Sequence, residues 1–272
     1  MLVVCLLLLP LALSGCGSSG SSPYQFNVMS ANIWLGGKGD PTLDKIACYL
    51  SNADIAFLQE VDEGMVRSGG VNEPEVLAQK TGLTHKAHTV WRPGLDGGNY
   101  VDVLVLSRFP LSEIRFHKAS MPGWDYHKET LFVHATATLP DDERVHLFAT
   151  HYPLEAEGRQ EASEVLRGLV DNVTGPVLFG GDLNATAASL EIQRVTAKLS
   201  DSWNSAPQDR FHCGNRIDYV FYRGPYVVRS YEAACMPLSQ AALQSYEHGC
   251  SIGNADLSDH PFVYVKFQVA AS

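Results

Sequence analysis

The sequence predicts a layered α/β fold that is rich in β-sheet. Short apolar segments with the two-residue alternation of strands recur from Tyr24 to Val269, and amphipathic segments with helical spacing stand between some of them. Such elements bury their apolar faces when helices cover sheets, which gives a layered arrangement. No internal repeat and no linker after Pro23 divides the series, so we expect one domain over residues 24–272.

The individual elements follow from these local patterns. Helical spacing of apolar residues predicts helices over 41–51 and 154–172. Apolar runs bounded by turn residues predict strands over 24–33, 55–61, 101–107, 131–139, 145–151, 177–179, 217–222, 227–231 and 262–269.

The composition is that of a folded globular protein with an acidic balance. The 272 residues are 45% hydrophobic and 18% charged, and 20 Lys and Arg against 30 Asp and Glu give a net charge of −10. Sequence-independent binding to DNA or RNA needs many cations against phosphates, so we expect no broad nucleic-acid surface. A small phosphorylated substrate held through a metal ion remains compatible with this charge.

The N-terminus reads as an export signal. Residues 1–13 are almost wholly apolar, and no charged residue precedes Lys38. The run is too short for a comfortable membrane span and ends in LSGC, similar to the lipobox at which bacterial lipoproteins are lipidated on cysteine. We therefore expect a lipoprotein signal peptide over 1–16, a membrane anchor at Cys16 and a flexible tether over 17–23. Plain secretion, with cleavage near residues 15–20, is the alternative.

Export makes the remaining cysteines candidates for disulfides. Without the two in the signal segment, four are left: Cys48, Cys213, Cys235 and Cys250. Four cysteines allow three pairings, and we favour Cys235 with Cys250 because that bridge would close an irregular stretch. No spacing typical of a zinc site is found among them.

Polar and ionisable residues stand repeatedly at the ends of the predicted strands. A carboxylate beside a core strand is costly unless it is paired or bound to a metal, so several in one domain favour a shared site. The residues are Asn32, Glu60, His151, Asp182, Asn184, Asp218, Asp259 and His260.

Each of these residues also has an ordinary structural interpretation. Glu60 could be a solvated strand end, and Asp182 with Asn184 could shape a turn. Asp218 could pair with Arg216 or Arg223. The string Asn184-Ala185-Thr186 also fits a glycosylation acceptor.

Taken in order, the motifs resemble those of the endonuclease/exonuclease/phosphatase superfamily, which has the deoxyribonuclease-I-like fold. The matching strings are NIW at Asn32, LQEV around Glu60, LSRFP at 106–110, ATH ending at His151, GGDLN at 180–184, RIDYVF at 216–221 and SDHP at 258–261. They span about residues 24–269.

The resemblance implies a four-layered α/β sandwich in which two mainly antiparallel sheets pack together between flanking helices. It also implies a metal-dependent phosphoric ester hydrolase, with Mg²⁺ or alternatively Mn²⁺ as the cofactor. Glu60 would be the principal metal ligand, with Asn32 beside it and Asp259 contributing, in keeping with the preference of Mg²⁺ for oxygen donors.

The resemblance assigns roles to the other residues as well. Asp182 would position or deprotonate the attacking water, and Asn184 would hold a phosphoryl oxygen. His260 would be oriented by Asp218, and His151 would hold the phosphate or protonate the leaving oxygen. Which histidine is the acid and which the base stays open. A glycan on Asn184 would block this site, so Asn172 is the better acceptor.

Three functions were compared for the chain, which we expect to be a monomer. The first is an exported phosphodiesterase or phosphatase acting on a small or lipid-borne phosphate ester, favoured by the acidic balance and the anchor. The second is a secreted deoxyribonuclease-I-like endonuclease, whose positive groove would need scattered residues such as Arg92, Lys118, Arg210 and Arg216. The third, a catalytically inactive binding module, is disfavoured because all the principal site residues are present.

Overall fold

The computed structural model describes residues 24–37, 42–125, 127–234 and 258–270. Two β-sheets face one another at its centre. The larger sheet has the strand order β11-β13-β14-β1-β2-β5-β3, with β4 paired to β5, and the smaller has the order β10-β12-β9-β8-β7-β6. Most neighbouring strands are antiparallel, whereas β1–β2, β8–β9 and β11–β13 are parallel.

The strands of the larger sheet are β1 (Gln25–Asn32), β2 (Ile55–Glu63), β3 (His85–Ala87), β4 (Arg92–Leu95), β5 (Gly98–Ser107), β11 (Phe211–His212), β13 (Tyr226–Ala234) and β14 (Phe262–Val269). Those of the smaller sheet are β6 (Leu111–Ala119), β7 (Thr130–Thr138), β8 (Arg144–His151), β9 (Val177–Asp182), β10 (Ser200–Asp201) and β12 (Asp218–Arg223). The helices are α1 (Trp34–Gly37), α2 (Thr42–Leu50), α3 (Glu73–Thr81), α4 (Ala156–Asp171), α5 (Leu190–Thr196) and α6 (Ser202–Ser205), with a 3₁₀ turn over Val66–Ser68.

Three apolar clusters join four layers, in the order helices, sheet, sheet and helices. The central cluster joins the inner faces of the two sheets, with Phe57 of β2 and Leu147 of β8 among its members. A second cluster packs α2 and α3 on the larger sheet through residues such as Ile46. A third packs α4 and α5 on the smaller sheet through residues such as Leu166 and Phe148. The predicted four-layered α/β sandwich is therefore confirmed, with mixed sheets of eight and six strands.

The predicted elements are found with small changes of boundary, and several elements were missed. The predicted strand over 177–179 continues to Asp182, which places that carboxylate on the strand itself. Strand β6 and helix α3 were not predicted. Strand β6 lies at an edge and exposes both faces, so its apolar residues do not alternate cleanly. Helix α3 did carry a signal, because Asn72 caps it by accepting a hydrogen bond from the Glu75 amide.

Disulfide bonding involves both of the cysteines that the structure describes. Cys48 and Cys213 are both disulfide-bonded. Cys235 and Cys250 lie outside the described residues. Within the described part of the chain, no helix is both long enough and apolar enough to cross a membrane.

Candidate active site

The topology brings the ends of four central strands to one edge of the sandwich. Strands β1 and β2 run parallel, as do β8 and β9, so Asn32, His151 and Asp182 stand at carboxyl ends of strands. Strand β12 runs antiparallel to β9 and begins at Asp218, directly opposite Asp182. Residues far apart in sequence therefore meet at the rim between the two sheets.

Glu60 is turned into this rim by a break in the strand ladder. The pairing of β2 with β5 is regular as far as Leu58 and shifts register before Val61. At the shift Glu60 has φ of 59°, in the left-handed region that side chains rarely adopt. Bulges of this kind re-aim a side chain next to a functional site. The side chain of Glu60 thereby joins the cleft and not the solvated surface.

Asn32 links the carboxylates from the two sheets. Its Nδ2 donates to Glu60 Oε1 at 2.9 Å and to Asp182 Oδ2 at 3.2 Å. The amide of Trp34 donates to Asn32 Oδ1 at 3.0 Å and so fixes the side chain. Two carboxylates thus converge on one amide donor in a buried place, where a cation would also be held. Burial raises the pKa of Glu60, which a bound cation would reverse by favouring the carboxylate.

The first of two carboxylate–histidine pairs joins β5 to β8. His151 Nδ1 lies 2.9 Å from Asp102 Oδ1, which also accepts from the Tyr100 hydroxyl at 2.8 Å. Burial alone would lower the pKa of His151, but Asp102, followed by Asp182 and Glu60, raises it to about 10. His151 is therefore cationic at neutral pH.

The second pair joins β12 to the segment before β14. His260 Nδ1 lies 3.0 Å from Asp218 Oδ2, and the His260 amide donates to Ser258 Oγ at 3.1 Å. Against the effect of burial, Asp218 and then Asp182 raise the pKa of His260 to about 9. Asp218 is thus the partner of His260 and not of Arg216, which pairs with Asp201, or of Arg223, which donates to backbone carbonyls.

Asp182 lies between the two histidines. Its Oδ2 is 3.5 Å from His151 Nε2 and 3.7 Å from His260 Nδ1. Its Oδ1 accepts from the amide of Asn184, whose φ of 46° turns the chain sharply after the strand. Asn184 Nδ2 donates to the Tyr152 carbonyl at 2.9 Å and lies 3.4 Å from His151 Nε2. The GGDLN segment therefore forms the floor of the cleft, and Asn184 is half-buried inside it.

The structure brings seven of the eight predicted residues into hydrogen-bond contact with one another, whereas the eighth, Asp259, is not among the residues that line the cleft. Asp259 is exposed, and its charge contributes to the raised pKa of His260. Asp182, Asp218 and His260 also offer ligand atoms within 4.8 Å of one another, so a metal ion could reach them as well. Asp218 Oδ1 is buried and has no hydrogen-bond partner within the described residues.

Asp102 is the principal residue that the sequence analysis missed. It is 7% exposed and has φ of 64° within β5. The available signal was a single Asp inside the apolar strand YVDVLVLS, the same signal that marked Asp218. Arg108 of the LSRFP motif has a structural role, because it pairs with Asp54 at 2.9 Å.

A cleft of about 270 Å³ is lined by Glu60, Asp102, His151, Asp182, Asn184 and His260. Its remaining wall is formed by side chains from β4, β5 and the β6–β7 and β8–α4 connections. They include Arg92, which the sequence analysis named only as a scattered groove cation, and the residues that it did not single out: Trp91, Tyr100, His127, Glu129, Leu154 and Glu155. Lys128, by contrast, pairs with Glu157 outside the cleft.

Comparison with known proteins agrees with this architecture. Residues 29–260 match the profile of the Endonuclease/Exonuclease/phosphatase family. The chain belongs to that family. No curated protein matches the chain in sequence. As a member of the family, the protein is a hydrolase with a site of the kind that binds divalent metals.

Solved structures of the family are similar in fold at low identity. A family protein from Bacteroides thetaiotaomicron superposes with a TM-score of 0.67 at 16% identity, covering 91% of this chain and 96% of that one. A mannosyl-6-phosphatase from the same species gives 0.65 at 18% identity, covering 89% and 99%. TDP2 from D. rerio, complexed with a single-strand DNA product, gives 0.59 at 17% identity, covering 89% and 98%.

Proposed function

We propose that this protein is a divalent-metal-dependent phosphoester hydrolase that acts outside the cytoplasm on a small or lipid-borne phosphate ester. The observation that carries the proposal is the convergence of two carboxylate–histidine pairs on Asp182, beside Glu60 and Asn32, in one cleft. Two cationic histidines and a cation-binding pair of carboxylates suit the negative charge of a phosphoryl group.

Glu60 and Asn32 are the residues we propose to hold the metal, with the exposed Asp259 contributing its charge from beside His260. Their carboxylate and amide oxygens are the hard donors that Mg²⁺ prefers, and Mn²⁺ takes the same ligands. When bound, the ion would neutralise phosphoryl charge. The half-buried Glu60 carboxylate has the Asn32 amide as its only side-chain hydrogen-bond donor among the described residues, so its Oε2 could bind a cation.

The chain's own residues would carry the proton transfers and the orientation of the substrate. Asp182 would accept a proton from water or orient it, because its two oxygens face both histidines and the Asn184 amide. His151 Nε2 faces the cleft while Asp102 holds Nδ1, so His151 would donate to the leaving oxygen. His260, held by Asp218, and Asn184 would hydrogen-bond the phosphoryl oxygens.

The charge of the cleft supports a small substrate over DNA. Among the cleft-lining residues that the structure describes, Arg92 is the only Arg or Lys. Of the four cations considered for a DNA groove, Lys118 pairs with Glu129 and Arg216 with Asp201, while Arg210 donates to backbone carbonyls. The phosphatase name of one structural neighbour points to small esters, whereas TDP2 was solved with a DNA product. A deoxyribonuclease activity remains the alternative.

Hydrolysis of bis-(p-nitrophenyl) phosphate tests the reaction class. We expect activity with Mg²⁺ or Mn²⁺ and its loss in chelator. Glu60→Gln should lower kcat by about 10²–10⁴-fold, because it removes the metal carboxylate. Glu63→Gln is the matched control on the same strand, since Glu63 contacts Asn72 and Asn99 and not the cleft. Full activity of Glu60→Gln would contradict the site.

A parallel set of natural esters tests the substrate class. Sugar phosphates, inositol phosphates, nucleotides, sphingomyelin, RNA and plasmid DNA would be compared at equal concentration, with phosphate release or nicking as the readout. We expect the highest kcat/KM among the small or lipid-borne esters. Robust plasmid nicking at a higher kcat/KM would instead support the deoxyribonuclease.

We also propose export with a lipid anchor at Cys16, on the periplasmic face or the cell surface. Support comes from the apolar N-terminus and from the disulfide bonding of Cys48 and Cys213, since disulfides persist in oxidising compartments. Labelled palmitate should be incorporated in a bacterial host and lost in Cys16→Ala. Incorporation that survives Cys16→Ala would contradict the anchor.

A further inference from the structure

Three histidines from neighbouring strands lie together on the outer face of the smaller sheet, away from the cleft. They are His117 on β6, His134 on β7 and His146 on β8, and we call them the outer histidine cluster. The ring of His134 lies 5.4 Å from that of His146 and 5.9 Å from that of His117 between centroids. None of the three lines the catalytic cleft.

Two of these imidazoles point ring nitrogens at each other. His134 Nε2 and His146 Nδ1 are 3.2 Å apart. Two imidazole nitrogens on one tetrahedral zinc ion lie about 3.3 Å apart, given bonds of roughly 2.0–2.1 Å. His134 is 4% exposed and stacks on Phe148 at 4.3 Å, so its ring is held in place. The spacing of this pair therefore suits a shared metal ion as well as a hydrogen bond.

Backbone contacts fix the orientation of His146. Its imidazole hydrogen-bonds to the backbone of Thr174, while Nδ1 faces His134. Metal-binding histidines commonly donate the second ring nitrogen to a carbonyl, which fixes the tautomer and ring orientation. The remaining member, His117, has a buried Nε2 with no hydrogen-bond partner in the described part of the chain.

A strained residue brings a carboxylate near the cluster, with the Thr136 hydroxyl between it and His146. Strand β6 shifts register against β7 between Ser112 and Arg115, and Glu113 within the shift has φ of 51°. Glu113 Oε2 accepts from Thr136 Oγ1 at 3.1 Å, and that hydroxyl lies 3.5 Å from His146 Nδ1. Left-handed backbone at a side-chain-bearing residue is strained and is retained where the surroundings impose it.

The protonation state of the three histidines and the charged side chains near them are compatible with metal binding. Burial lowers the pKa of all three histidines, that of His134 to about 4, so their nitrogens are neutral and able to bind metal at neutral pH. Glu113 is the acidic group that faces them, and it pairs with Arg144 at 2.9 Å. Two other cationic side chains act on these histidines: Arg115 lowers the pKa of His134, and Arg223 lowers the pKa of His146.

We propose that the outer histidine cluster is a second metal site, selective for an imidazole-binding transition ion such as Zn²⁺, with His134 and His146 as ligands and Glu113 as the carboxylate. Binding would replace the His134–His146 hydrogen bond with two metal–nitrogen bonds, and the proton between the rings would pass through solvent to the other nitrogen of the histidine that carried it, so that both imidazoles stay neutral. Glu113 would leave Thr136 and Arg144 to reach the ion. Two histidines and one carboxylate with open positions form a recognised ligand set for such ions.

Zinc titration by calorimetry, in excess Mg²⁺, tests the proposal. The wild type should bind one more equivalent of Zn²⁺ than His146→Gln, beyond any bound in the catalytic cleft. Where weak binding survives in His146→Gln, its affinity should fall on the order of 100-fold, and Glu113→Gln should lose roughly tenfold. His85→Gln, on β3, is the matched control and should bind as the wild type does. Bis-(p-nitrophenyl) phosphate hydrolysis should be the same in His146→Gln, because the cluster lies outside the cleft.

Equal zinc stoichiometry and affinity in wild type and His146→Gln would overturn the proposal. Far-UV circular dichroism checks that the variant is folded. Should His146→Gln fail to fold, the exposed Glu113→Gln decides the question, and unchanged zinc affinity there would overturn it. These readouts do not depend on the phosphoester hydrolase activity, so the two proposals fail independently.

Discussion

Left-handed backbone at individual residues shapes the catalytic cleft. Glu60, Asp102 and Asn184 all have positive φ, at 59°, 64° and 46°. Each sits where a strand breaks its regular ladder or ends, and each turns a polar side chain into the space between the sheets. Strain of this kind clusters at functional sites, where the surrounding fold maintains it. Regular β-geometry would send alternate side chains to the sheet faces instead.

The Asp102–His151 pair gives the prediction at this scale. Asp102→Asn removes the charge that keeps His151 protonated and oriented, so kcat for bis-(p-nitrophenyl) phosphate should fall by about 10²–10⁴-fold. The KM should change little, because Asp102 sits behind His151. Asp54→Asn is the control, since Asp54 pairs with Arg108 at the other end of the strand. Equal losses in both variants would show that Asp102 acts only through stability.

At the scale of elements, strand β9 is the part that fixes the site to the core. Its two glycines leave no room for side chains: a Cβ on Gly180 would stand 2.2 Å from Phe57 Cδ2, and one on Gly181 would stand 2.4 Å from the Thr150 carbonyl oxygen. The close approach brings the smaller sheet against β2 of the larger sheet. Asp182 at the end of β9 therefore reaches Asn32 on β1.

A pair of glycine substitutions tests this packing. Gly180→Ala should lower the free energy of unfolding by about 1–3 kcal/mol through overpacking against Phe57. Gly168→Ala lies inside α4 with open space around it, so the same methyl group should stabilise by up to about 1 kcal/mol. Urea unfolding of both variants measures the contrast. A neutral or stabilising Gly180→Ala would contradict the tight contact between the sheets.

At the scale of the whole molecule, buried ionisable groups link stability to pH. His134 has a pKa lowered to about 4 by burial, by the neighbouring His146 and His117, and by Arg115. In the unfolded chain His134 has a pKa near 6.5. Between about pH 6.5 and 4 the unfolded chain therefore binds a proton at His134, whereas the folded protein does not. The contribution of His134 to stability is therefore complete above that window and is lost as pH falls through it.

The comparison of wild type with His134→Gln isolates this effect. As pH falls from about 6.5 to 4, the wild type should lose up to about 1.4 kcal/mol more per pH unit than the variant. Urea unfolding in chelator, across that range, measures the difference. Parallel pH dependence in the two proteins would show that His134 is not held neutral in the folded state.

Much of the site was predictable because most of its residues lie in short sequence motifs. Glu60, His151 and Asp182 each end an apolar run, and a carboxylate or imidazole in that position requires a partner. Asp102 was missed because the apolar pattern around it predicts only a core strand. Its role depends on a contact with His151, which lies 49 residues later in the sequence. Strand β6 escaped because an edge strand has no buried face to impose alternation.

The sequence by itself determined the series of strands and helices, the layered class and the polar residues that end the strands, since these depend on local periodicity and on the cost of burying charge. Only the tertiary structure decided the other partners: His151 with Asp102, Asp182 between both histidines, and the outer histidine cluster. The pairing of His260 with Asp218 was already expected from the family resemblance. The physical reason is that pairing depends on which strands become neighbours and in which register. That choice is made by the packing of two sheets as a whole, and no single segment of sequence contains it.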